Sequence, residues 1–178
     1  MSGTFRTLRA DEIEVRAAAV RENGVQLLLY KTARTDSTIL DETVGSENWQ
    51  CRFYEVAGAT YCSLGVRFRH DDGTSEWIWK DDAGSEGNIE KEKSTASSAF
   101  KRAGFKFGIG KELYTAPFIW VPTDRCEIRP GKNGRPQCFD RFHVEKVRIE
   151  DGRITAISIW NDRKACRAFV WQEQPKNT

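Results

Sequence analysis

Between Trp49 and Ala83 the chain alternates apolar and polar residues with period two, in the runs CRFYEV, TYCSLGVRFR and SEWIWKDDA. That period marks half-buried strands, because successive side chains point to opposite faces. Turn chemistry separates the runs at Ala57-Gly58-Ala59 and again at Asp71-Asp72-Gly73. Strands joined so tightly pair with their neighbours, which predicts an antiparallel meander with one face available to a helix. The sequence then supplies a helix. After a loop at Gly84–Gly87, the stretch EKEKSTASSAFKRAGFKFGIGKELY (Glu90–Tyr114) places Ala96, Ala99, Phe100, Ala103 and Phe107 on one apolar stripe. Small alanines in that stripe let a helix sit close to a sheet. The expected class is α+β: a three-stranded antiparallel meander packed by a long helix, with a small β extension at the C-terminal end.

The flanks read as follows. Asp11 and Glu14 have the form of a helix N-cap and its partner. Ile13, Ala17 and Val20 mark one face, and Asn23-Gly24 marks a stop, so a helix is expected there. VQLLLY (Val25–Tyr30) is expected to be a buried strand. A second helix is predicted over Asp36–Val44, capped by Thr35 or Asp36 and ended by Gly45. TAPFIWVP is an extended segment fenced by Pro117 and Pro122, and RPGKNGRPQ (Arg129–Gln137) is expected to be a basic loop. FHVEKVRIE, ITAISIW and ACRAFVW look like three further strands, with turns at Asp151-Gly152 and Asn161-Asp162.

Composition excludes several classes. With 39% hydrophobic and 30% charged residues the chain is globular, and no apolar run is long enough to span a membrane. The charged N-terminal stretch is unlike a secretory leader, so the cytoplasm is the expected location. Five cysteines, an odd number with irregular spacing, favour reduced thiols over a disulfide framework. Cys126, Cys138, His143 and Cys166 match no compact zinc-ligand spacing, and Asp71-Asp72 and Asp81-Asp82 read as a turn and a strand end. No Walker loop, GxSxG or HExxH occurs, so neither enzyme chemistry nor a cofactor is expected. The net charge of +2 does not by itself point to nucleic acid. Local clusters must carry that argument.

One such cluster lies on the long helix. Lys101, Arg102, Lys106 and Lys111 follow one another with no acid between them. Two readings are open. Bases near a helix C-terminus complement its dipole, or they line a groove for a phosphate chain. Phe105 falls opposite the apolar stripe, so either Gly104 ends the regular helix or another surface, such as a neighbouring subunit, covers the ring. Trp77 and Trp79 share a strand face, as do Arg67 and Arg69. Stacking on bases and ordinary packing both account for the tryptophans. Arg129, Lys132 and Arg135 are a second contact for such a phosphate chain or a solvated loop.

The string KRAGFKFGIGKELY, behind a charged, alanine-bearing helix, is similar to the Rad52 family of single-strand annealing proteins, in particular its phage and prophage branch in bacteria. LLLYKTARTDSTILDETVGSENWQ and TAPFIWVP extend the resemblance over residues 8–122. It implies a β-β-β-α core, assembly into homo-oligomeric rings or filaments, and an outer basic groove that holds single-stranded DNA for pairing without ATP. Lys101 and Arg102 match the family's Lys-Arg pair on the DNA backbone, and Lys93 matches a basic position one and a half to two turns earlier. Arg34 falls near the basic residue that precedes the second helix. Phe105 stands where the family often has Arg, with Lys106 beside it, and Ser46 replaces an aromatic that some members carry. The implied organisation is an annealing core over 1–122 and a basic loop with a β extension over 123–178. Expected partners are single-stranded DNA, further copies of the chain, and a host or phage single-strand-binding protein. A DNA-end-binding module that protects without annealing, or a structural oligomeric adaptor, are the alternatives.

Overall fold

The computed structural model describes residues 4–85 and 91–174, the side chains of 91–94 excluded. In chain order the strands and helices are β1 (Glu14–Arg21), β2 (Gly24–Tyr30), α1 (Ala33–Val44), β3 (Trp49–Val56), β4 (Ala59–Arg69), β5 (Ser75–Ala83), α2 (Lys91–Lys106), β6 (Ile119–Pro122), β7 (Ile128–Pro130), β8 (Pro136–Cys138), β9 (Phe142–Glu150), β10 (Arg153–Asn161) and β11 (Cys166–Gln172). The architecture is α+β, with antiparallel sheets and two helices. No described helix is long and apolar enough to cross a membrane. The elements form two compact units: the segment up to Arg6 with Thr32–Gly110, and Thr7–Lys31 with the chain from Lys111 onward. This division does not coincide with the boundary expected after Pro122. The N-terminal hairpin is grouped with the C-terminal strands instead.

In the first unit β3, β4 and β5 form the expected meander, in that order. Ala57 and Gly58, both at positive φ, make the two-residue turn between β3 and β4. Alternation aims Cys62, Leu64 and Val66 at α2, and all three are fully buried. Ala99 and Ala103 are fully buried on the helix side, and Phe100 packs 5.9 Å from Trp49. Phe107 is wedged between Phe5 and Phe68, with the ammonium of Lys80 4.6 Å from its ring centre. Burying these side chains stabilises the unit by about 1.5–3 kcal/mol for each large one.

Both ends of α1 are fixed by side chains. Thr32 Oγ1 accepts from the Thr35 amide at 3.2 Å, so the helix begins earlier than expected and Arg34 lies in its first turn. Thr35 and Asp36, the expected caps, are buried within the helix. At the far end Gly45 takes φ +86°, the Asn48 side chain donates to the Val44 carbonyl at 2.7 Å, and the Trp49 indole donates to Asp41 at 2.7 Å. These bonds explain the GSENW string: it turns the chain from helix into β3. Gly104 does not end α2, which runs on to Lys106. A Cβ at Gly104 would lie 3.1 Å from the Asp36 carboxylate, so the glycine lets the two helices approach. Phe105 is half-buried. The stop is Gly108, at φ +106°: its amide donates to Phe105 O and that of Ile109 to Gly104 O, the paired bonds of a Schellman cap.

In the second unit six antiparallel strands run in the order β11-β10-β9-β1-β2-β6. The sheet curls until its edges, β6 and β11, approach one another and nearly close a barrel. Its interior holds Val25, Leu27, Val121, Ile154 and Ile159, all fully buried or nearly so. Two expectations are corrected here. Residues 11–23 are not a helix: Ala10–Glu12 make a 3-10 turn, and β1 pairs with β2 on one side and β9 on the other. The ladder with β2, joined by β9 at Glu14–His143, outweighs the helical preference of the Ala17–Ala19 run, where the register slips by one residue. The stretch from Arg129 to Gln137 is not an irregular loop but a hairpin of β7 and β8, closed by Gly131 N to Arg135 O at 2.8 Å. The three C-terminal strands lie where period two places them.

Candidate nucleic-acid interface

The bases of α2 divide by helical geometry. Arg102 and Lys106, four residues apart, share the flank beside β5. There Arg102 Nε donates to Asp82 Oδ1 at 3.1 Å, and Lys106 Nζ lies 3.4 Å from Asp82 Oδ2. Lys106 also donates to the Asp81 carbonyl, and Lys80 donates to the carbonyl of Lys106 at 2.8 Å. Two cations thus hold one carboxylate, with Lys80 beside Lys106, and the patch keeps a positive surplus. Burial alone would raise the pKa of Asp82. The hydrogen bond and charge of Arg102, with help from Lys106, outweigh it and lower the pKa. Arg102 remains 54% and Lys106 45% exposed, while Asp82 is only 17% exposed.

Lys101 is half-buried. It lies one turn before Gly104, hence on the flank of α2 that faces α1. Arg34 is exposed in the first turn of α1, where a cation opposes the helix dipole and has no ion pair among the described residues. The cations of α2 therefore lie on two flanks, as about 100° per residue places them: Arg102 and Lys106 sit together, and Lys101 occupies the other flank. Lys93 belongs to the first turn of α2, and its side chain lies outside the described residues. In the second unit Arg129, Lys132 and Arg135 are exposed on the β7–β8 hairpin, with Arg129 paired to Glu127.

Sequence reasoning missed Lys80 and Asp82. Their signal was in the strand period, which aims both at the helix side of β5. Of the set considered for zinc, Cys126 and Cys138 adjoin each other and His143 Nδ1 lies 2.8 Å from Asp162. Among the described residues, no three His, Cys, Asp or Glu side chains converge as a cation site would need.

A three-stranded meander followed by a helix with basic flanks defines the class of structure that carries these residues. No protein-family model matches the chain. Over 128 residues it is 29% identical to the single-stranded DNA-binding protein DdrA of Deinococcus radiodurans. The match covers 71% of this chain, and the chain spans 58% of the length of that relative.

Proposed function

We propose that this chain binds single-stranded DNA along the basic flanks of α2 and anneals complementary strands without ATP, as a homo-oligomeric ring or filament. The observation that carries the reading is the pairing of Arg102 and Lys106 with Asp82, with Lys80 beside Lys106 and Lys101 on the opposite flank of the same helix. The name of the DdrA relative supports single-stranded DNA as ligand. In this chain the order of three antiparallel strands and a long helix accords with the β-β-β-α core that the Rad52 resemblance implies.

In this reading the phosphates take the guanidinium of Arg102 and the ammonium groups, sequence plays little part, and the bases stay available to a second strand. Exposed ion pairs contribute only about 0–1 kcal/mol, so an incoming phosphate can displace Asp82 from Arg102 at little cost. Lys101→Ala with Arg102→Ala tests the site. Each phosphate contact contributes about 0.7 to the salt slope on single strands, so the double variant is expected to lose about 1.4 of slope along with affinity. An unchanged slope removes both residues from the interface. Annealing of complementary oligonucleotides then separates a pairing protein from a module that only protects ends, and light scattering reads the assembly.

A further inference from the structure

The face of the β3-β4-β5 sheet turned away from α2 carries a ladder of aromatic rings. Trp77 and Trp79 stack with centroids 6.0 Å apart and planes 26° from parallel, and Tyr54 stacks on Tyr61 at 5.5 Å. The guanidinium of Arg52 lies 4.8 Å from the centre of the Trp79 ring. Trp79 faces Gly65 across the ladder and is laid flat over it, since a Cβ there would come within 2.8 Å of the indole. Arg52, Tyr54, Trp77 and Trp79 are all exposed.

The strand registers run without a slip, so alternation sorts the charges of this sheet cleanly. Arg52, Arg67 and Arg69 fall on this face against a single acid, Asp81. Flat rings interleaved with cations are complementary to a polyanion whose units have π-faces. They are poorly complementary to the same face of a second copy. A two-fold contact would set arginines against arginines.

We infer that this face is a base-stacking platform for single-stranded DNA, distinct from the phosphate-binding flanks of α2 on the other side of the sheet. The inference rests on the proposed reading of the chain as a single-stranded DNA binder. On this platform Trp77, Trp79 and the tyrosine pair stack against bases, while Arg52 and Arg67 neutralise the adjoining backbone.

The full chain, with Trp77→Ala and Trp79→Ala together, is titrated against an oligo-dT and against an abasic oligomer of equal length, alongside the Lys101→Ala, Arg102→Ala variant. The tryptophan variant is expected to bind oligo-dT about tenfold or more weakly while its weaker hold on the abasic strand stays the same. Trp77→Phe with Trp79→Phe, which keeps the ring faces, is expected to recover most of the loss. Unchanged affinity for oligo-dT overturns the platform but leaves the α2 reading standing, provided the Lys101, Arg102 variant is weakened. Equal loss on both strands with a smaller particle by light scattering also overturns it, making the face a contact between copies. A wild-type chain that binds neither strand overturns the DNA reading and the platform with it.

Discussion

Asp82 decides how available the helix bases are. It holds Arg102 and Lys106 at 3.1 and 3.4 Å, and its carboxyl is kept ionised by them. Asp82→Asn is therefore expected to raise affinity for single-stranded DNA and steepen its salt dependence, because two cations lose their internal partner. The stability change is expected within about 1 kcal/mol, since Arg102 is half exposed. A binding titration across salt checks the first outcome and urea denaturation the second. Weaker binding in this variant would mean that Asp82 positions the bases rather than competing for them.

At the scale of elements, the end of α2 depends on a single backbone state. Gly108 sits at φ +106° in open space, so Gly108→Ala meets no clash and bears only the cost of a left-handed conformation, about 1–2 kcal/mol. Thermal unfolding is expected to shift accordingly, with α2 still formed by circular dichroism. The meander, the stripe of α2 and the C-terminal strands were legible because each repeats one period over many residues and is bounded by strong turns. The first hairpin was not. Ile13, Ala17 and Val20 fit a helix, and it is pairing with the following strand β2, joined by the distant β9 at Glu14, that makes Glu14–Arg21 a strand. Asn23-Gly24 between two apolar runs was the available clue, since that dipeptide marks hairpins as well as helix ends. Of the candidate site, the α2 bases could be read from the sequence. Their division between two flanks follows from the helical period, whereas the carboxylate that holds one pair needed the neighbouring strand.

For the whole molecule, acid sensitivity has a traceable source in the second unit. Glu145 on β9 accepts two bonds from Arg167 on β11, at 2.7 and 2.9 Å, and one from Ser158 on β10. The Arg167 hydrogen bonds, followed by that of Ser158, lower its pKa from 4.5 to about 2. A depressed carboxylate stabilises the fold fully above its unfolded value, and that contribution drains away as pH falls toward about 2. The melting temperature is expected to drop across that window, with a shallower drop in Glu145→Gln. Parallel curves for the two proteins would assign the acid transition elsewhere.

The order of the strands carries a consequence for biosynthesis. Neighbours in the six-stranded sheet come from both sides of the Thr32–Gly110 insertion, so β1 and β2 leave the ribosome with neither flanking partner yet made. Until β6 and β9 emerge, that nascent ribbon presents two bare edges. On a crowded polysome it is open to capture by the sheet of an adjacent chain, an exchange of hairpins that would link newborn molecules.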